Sequence, residues 1–131
     1  MTTAVDTNVV LRWITRDDPV QSPLADPIFD KPVVITTTVL LETEWVLRGR
    51  RYAMRRDTIA TLLEQIADTT TVTIEHEEGV RWAIGRYRLG ADLADMIHLV
   101  VPMDATRFVT FDRRLAQHAG SDAPLAIETL A

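Results

Sequence analysis

Ala4-Val5-Asp6-Thr7-Asn8-Val9-Val10-Leu11 is the stretch on which the fold turns. An apolar run begins almost at the N-terminus, and a carboxylate interrupts it where a turn would come. Val9, Val10 and Leu11 then resume the pattern at the expected start of a helix. A short apolar strand feeding a helix is the first half of a β-α-β unit. In open α/β sheets, ligands sit outside the carboxyl ends of the strands, which is where Asp6 falls. Asp6 is therefore either a helix N-cap or a ligand-facing acid, and the remainder of the chain has to decide between them.

Moving outward, short β-branched runs alternate with helical segments. The first helix runs through Arg12, Trp13 and Ile14 to the breaker Asp17-Asp18-Pro19, and a second short one is expected over 20–29. Pro32-Val33-Val34-Ile35-Thr36 is a second strand, bounded by proline. Thr37 and Thr38 offer cap hydroxyls to a helix over 39–48 that stops at Gly49. Asp57 can cap a helix over 58–67, and Thr70-Thr71-Val72-Thr73-Ile74 is a strand polar enough for a sheet edge. Helices follow over 75–87 and 92–103, then the strand Arg107-Phe108-Val109-Thr110, a short helix after Asp112, and a last strand at Leu125-Ala126-Ile127. This alternation predicts an α/β fold, a three-layer α/β/α arrangement on a mostly parallel sheet. No repeat, low-complexity segment or linker divides the 131 residues, so a single domain over 1–131 is expected.

With no cysteine, disulfides and thiolate metal sites are excluded. No apolar run approaches the ~20 residues that span a bilayer, and the N-terminus lacks the basic flank and apolar core of a signal peptide. A cytoplasmic protein without membrane association is expected. The net charge of −5 argues against indiscriminate coating of nucleic acid. The positive charge is nevertheless concentrated: five of the thirteen arginines lie between Arg48 and Arg56. Two accounts stand: a solvated helix connection, or a phosphate-facing patch exploiting the guanidinium fork.

Four acids keep apolar company. Glu42 has Thr38, Val39, Trp45 and Val46 as its neighbours three and four residues away, so it is expected in an apolar stripe. An ionised carboxylate there is costly unless paired or bound to a cation. Glu44 has Arg48 four residues on and is expected to form an ordinary surface ion pair. Asp92 and Asp95 could be a helix N-cap and a first-turn acid; His98, three residues beyond, is either a ligand or a packed histidine. Asp112 follows a strand that ends in Thr110 and could cap the next helix. In a parallel sheet Asp6, Glu42, Asp95 and Asp112 can converge at one end of the strands. Clustered carboxylates raise one another's pKa unless a cation neutralises them. Hard oxygen donors favour Mg²⁺ or Mn²⁺ over Zn²⁺.

These residues resemble the PIN domain family, in particular the VapC-type ribonuclease toxins of type II toxin–antitoxin systems. Asp6-Thr7-Asn8 matches the opening motif, and Leu41-Glu42-Thr43-Glu44-Trp45-Val46-Leu47 is similar to the second-acid segment. Asp92-Leu93-Ala94-Asp95 with His98 resembles the third motif, and Val109-Thr110-Phe111-Asp112-Arg113-Arg114 the fourth. The likeness runs from residue 3 to about 115. Its departures are Leu93 for a commoner aromatic residue and Met96 for a commoner alanine. The resemblance implies a five-stranded parallel sheet of order 3-2-1-4-5, a homodimer, a cognate VapB-like antitoxin and Mg²⁺-dependent endonucleolytic cleavage of RNA. On that basis Asp6, Glu42, Asp95 and Asp112 are the expected catalytic and metal-holding acids, with Asn8, Thr110 and Asp92 orienting them. Arg50, Arg51, Arg55 and Arg113, or Arg12, are expected to meet RNA phosphates. Trp13, Leu40, Leu41 and Trp45 supply either core or a groove for a partner helix.

Other classes fit less well. A phosphoaspartate receiver needs a lysine late in the chain, whereas the only lysine is Lys31. A haloacid dehalogenase-like phosphatase needs a second Asp where this chain has Asn8. A catalytically degenerate PIN module that only binds RNA or protein is the alternative reading.

Overall fold

In the computed structural model, residues 1–102 and 104–130 are described. Strand β1 (Thr3–Ala4) leads into α1 (Thr7–Thr15), followed by α2 (Gln21–Ala25) and a 3-10 turn over Asp26–Asp30. Then come β2 (Val33–Ile35), α3 (Thr37–Arg48), α4 (Arg56–Asp68), β3 (Val72–Ile74) and α5 (Glu77–Arg88). The chain continues through α6 (Leu93–Val100), β4 (Arg107–Thr110), α7 (Leu115–Ala119) and β5 (Ala126–Thr129). The alternation of strands and helices read from the sequence is present throughout. The helix expected over 92–103 is shorter, running from Leu93 to Val100 with Val101 as its C-cap; Met103 lies outside the described residues.

All strand pairing is parallel. β2 lies between β1 and β3, with Val33 opposite both Thr3 and Val72, and β4 pairs with β5, Phe108 opposite Ile127. The orders β1-β2-β3 and β4-β5 correspond to two parts of the expected 3-2-1-4-5 sheet. The β1–β4 pairing that would join them is not formed, so the five-stranded sheet is replaced by two smaller ones. The reason lies in β1, which has only two residues, both exposed. Beyond Ala4 the chain turns at Asp6 to start α1, leaving almost no ladder for β4 to pair with.

The core forms where helices cover the three-stranded sheet. Val33 and Ile35 alternate inward from β2, and Val72 and Ile74 from β3. They meet Val10 of α1, Leu40 and Leu47 of α3, Ile59 and Leu63 of α4, Val80 and Ile84 of α5, and Met96 and Leu99 of α6. Each such side chain contributes roughly 1.5–3 kcal/mol of burial. The α5–α6 contact is especially close, since a Cβ added at Gly79 would run into the stiff, branched side chain of Val100.

Local signals settle the element ends. Thr36, rather than Thr37 or Thr38, caps α3, its hydroxyl accepting from the Val39 N–H at 3.4 Å. The position one residue earlier still has extended backbone, as an N-cap requires. Asp57 does not cap α4; the helix starts at Arg56, and Asp57 sits in its first turn. After α5 the chain reverses at Gly90, whose φ of 117° favours glycine. Arg56 holds that turn by donating to the carbonyls of Tyr87 (2.9 Å) and Ala91 (2.6 Å), which sets the start of α6.

Candidate active site

Asp6 stands at the junction of β1 and α1 with extended backbone, and its Oδ1 accepts from the Val9 N–H at 3.1 Å. It is thus the N-cap of α1, as its position allowed. Its other oxygen has no hydrogen-bond partner among the described residues, and the side chain opens onto two adjoining clefts. Asn8 lines both clefts beside it. The neighbouring Thr7 is buried and donates its hydroxyl to Glu42 Oε1, tying the start of α1 to the second turn of α3. Thr7 went unrecognised in the sequence. A hydroxyl directly after an acid at a strand end was the available signal.

The two glutamates of α3 correct the expectation drawn from the helix pattern. Glu42 is exposed, not embedded in an apolar stripe, whereas Glu44 is 4% exposed. Glu44 accepts from Arg48 Nε at 2.8 Å and from the Tyr87 hydroxyl at 3.1 Å. Burial, then the Glu44 charge, pushes the Tyr87 phenol up. Glu44 is therefore a fully engaged buried acid that pins α3 to α5. Glu42 faces two clefts, one shared with Asp6 and another with Asp92, the second of which Glu44 also lines.

Asp92 caps α6 by accepting from the Asp95 N–H at 3.0 Å. Asp95 is half-buried, and its carboxyl is pushed above the ordinary Asp value by burial, then by the Asp92 and Asp112 charges. His98 and His118 act in the opposite direction. His98 is exposed and so is not the packed core histidine weighed against a ligand role. Asp112 forms a turn of its own: its N–H donates to the Thr110 hydroxyl at 2.9 Å, and its Oδ1 accepts from the Arg114 N–H at 2.9 Å. The cap of α7 is Arg114, not Asp112.

The acids therefore fall into two groups, Asp6 with Glu42 and Asp92 with Asp95 and Asp112, with Glu42 adjoining both through its two clefts. Among the described residues, no three His, Asp or Glu side chains stand close enough to hold a metal ion together. Their donor chemistry, carboxylate oxygens only, suits a hard divalent cation. A cation would also relieve the mutual repulsion felt by Asp95.

The arginines do not form a uniform patch. Arg48 and Arg56 are spent on Glu44 and on backbone carbonyls. Arg51 reaches Asp17 at 3.1 Å and lines the Asp6–Glu42 cleft. Arg50 lies in a groove with Trp45 and Val46, and Arg55 is 87% exposed beside Asp57 at 3.8 Å. Arg113 is exposed, with no ion pair among the described residues. Of the apolar residues weighed for a partner groove, Leu40 is core and Trp13 stacks on Phe29 with ring centroids 3.8 Å apart. Trp45 is 65% exposed.

Residues 3–121 match the PIN domain family, and the chain belongs to it. Searches of curated proteins and of solved structures return no significant match. PIN domains are in general nucleases that bind nucleic acid and typically use divalent metal ions. No helix among the described residues is long and apolar enough to cross a membrane.

Proposed function

We propose that this chain is a VapC-like endoribonuclease toxin that hydrolyses RNA phosphodiester bonds with Mg²⁺, or Mn²⁺, and is neutralised in the cytoplasm by a cognate antitoxin. The observation that carries the reading is Asp6: a strand-end carboxylate in a PIN chain, capping α1 with one oxygen and keeping the other open to a cleft that Glu42 shares. Asp6, Glu42, Asp95 and Asp112 would hold the ion. A divalent cation there supplies positive charge against the charge developing on the phosphodiester oxygens and acidifies the attacking water.

The chain's own residues have separate tasks in this reading. Thr7 orients Glu42 through its hydroxyl, and Asp92 orients Asp95 by capping the helix that carries it. Thr110 fixes the Asp112 turn, and Asn8 flanks Asp6. Arg50, Arg51, Arg55 and Arg113 attract the RNA backbone. Single-stranded segments, whose bases can unstack, fit an open cleft of this kind. An antitoxin and a second copy of the chain are the protein partners, covering exposed apolar side chains such as Trp45 and Leu24.

A catalytically degenerate PIN module that binds RNA or protein is the second reading, favoured by the spacing of the carboxylates. Incubating the protein with total RNA, with and without Mg²⁺, and mapping the cut ends separates the two. Asp6→Asn is the control of choice, because asparagine caps a helix as well as aspartate does. The expected result is loss of Mg²⁺-stimulated cleavage with an unchanged circular dichroism spectrum. Full cleavage by that variant would exclude Asp6 from the chemistry, and no cleavage by the wild type would favour the binding module.

A further inference from the structure

Three residues that line the Asp6–Glu42 cleft, Arg12, Arg51 and Tyr52, gather around Asp17, in the loop after α1. Its side chain is 27% exposed and its two oxygens are divided between two arginines. Oδ1 accepts from the Thr15 hydroxyl at 2.7 Å and from Arg12 Nη1 at 3.1 Å. Oδ2 accepts from the Tyr52 hydroxyl at 2.7 Å and from Arg51 Nη2 at 3.1 Å. The Thr15 and Tyr52 hydroxyls, followed by smaller contributions that include the Arg12 charge, hold the carboxyl well below the usual carboxylate range. Asp17 is thus ionised wherever the protein is folded near neutral pH.

Arg12 is the more firmly held of the pair, with a side chain 11% exposed. Its Nε donates to Gln21 Oε1 at 2.7 Å, and its Nη1 also reaches the Tyr52 hydroxyl at 3.3 Å. Its Nη2 makes no hydrogen bond among the described residues. Arg51 arrives from the α3–α4 connection and lies over the Tyr52 ring at 5.2 Å. It spends only Nη2 on Asp17. Both arginines line the cleft that Asp6 and Glu42 line.

Two guanidinium groups at one place repel each other, and a single carboxylate between them offsets much of that cost. Asp17 accepts one hydrogen bond from each arginine and pairs with neither through both oxygens, so neither fork is closed in the bidentate arrangement. Here the acid is shared, the cluster keeps a net positive charge, and each arginine retains N–H donors not used within the protein. We propose that Arg12 and Arg51, mounted together on Asp17, form a preassembled clamp for an RNA backbone phosphate neighbouring the one cleaved at Asp6. Asp17 is its positioning residue. The clamp rests on the nuclease reading above, and it separates Arg12 and Arg51 from Arg50, Arg55 and Arg113, which have no such mount.

Asp17→Asn gives the sharpest test, because general electrostatics and the clamp predict opposite signs. Removing a negative charge favours RNA binding everywhere on the surface; dismantling the mount weakens it. Binding of a fluorescein-labelled single-stranded RNA pool is measured by anisotropy in EDTA over a range of salt, alongside KM and kcat for cleavage with Mg²⁺. Asp17→Asn is expected to weaken binding and raise KM with kcat little changed. Arg12→Ala and Arg51→Ala are each expected to weaken binding roughly tenfold, the equivalent of one charge-assisted contact. The double variant should lower the slope of log affinity against log salt by about 0.7, the value for one phosphate of a single strand. Melting curves check the fold, and Arg51→Ala, at a position 59% exposed, carries the test should Asp17→Asn not fold. Unchanged affinity and salt slope in these variants, with a wild type that binds and cleaves, would reduce the cluster to a staple and overturn the clamp alone. A wild type that neither binds nor cleaves RNA would overturn the nuclease reading and the clamp with it.

Discussion

The two sheets differ in how firmly they hold what they present. In β1-β2-β3 the middle strand is buried at Val33 and Ile35, and helices cover it. In β4-β5 no residue is fully buried: Phe108 and Ile127 are half-covered, and Arg107 pairs with Glu128 across the strands. Asp6, and Glu42 on α3, belong to the first region, while Asp112 follows the second. A carboxylate mounted on a packed scaffold keeps its geometry, and one on a lightly packed edge does not. A site drawn from both regions is therefore preorganised on one side only.

Cleavage rates give the largest expected effect of that asymmetry. Glu42→Gln should lower cleavage on the order of 100-fold, the scale of losing one preorganised group, whereas Asp112→Asn should cost about tenfold, because an acid on the lightly packed side is less preorganised. Equal losses from the two substitutions, measured on one RNA substrate, would break the comparison.

Next in size is the contrast within α3. Glu44→Ala leaves the Tyr87 hydroxyl buried without its acceptor and should cost about 2–3 kcal/mol in urea unfolding. Glu42→Gln, at an exposed position, should stay within about 0.5 kcal/mol of wild type. A stability loss at Glu42 matching that at Glu44 would overturn the assignment of one acid to the cleft and the other to the fold.

The smallest effect concerns Asp95. Burial, with Asp92 and Asp112 adding to it, raises its pKa, while the unfolded chain has the ordinary Asp value. Between those two values the native state binds more protons, so stability falls as pH rises through that window, and the penalty is complete above it. Asp95→Asn, neutral at every pH, should therefore raise Tm slightly at neutral pH while losing Mg²⁺-stimulated cleavage. A lowered Tm would mean that Asp95 stabilises the fold instead of straining it.

Much of the fold was legible because its signals are local. Asp6 as a cap, the β-branched run at Val33–Ile35, the stop at Gly49 and the break at Gly90 each depend on a few neighbouring residues. The cap of α3 was missed by one position because three consecutive threonines offer the same hydroxyl, and only the backbone at Thr36 distinguishes them. The Glu44–Arg48 pair was legible from its four-residue spacing, but which of Glu42 and Glu44 is buried could not be read locally. They lie about 200° apart on a helix, and each has apolar neighbours. The residue that decides is Tyr87, brought to Glu44 from α5. The Asp17 cluster was hidden for the same reason, since Tyr52 and Arg51 reach it from 35 and 34 positions away.

Local sequence pattern is enough for the alternation of strand and helix, the parallel pairing and the placing of Asp6 at a strand end. Periodicity, turn residues and caps are properties of short segments. Contacts in the folded chain bury Glu44 and leave Glu42 open, leave β1 unpaired with β4, and gather two arginines on Asp17 beside the cleft. Each of those depends on contacts between distant segments, which chain closure creates and local pattern does not encode.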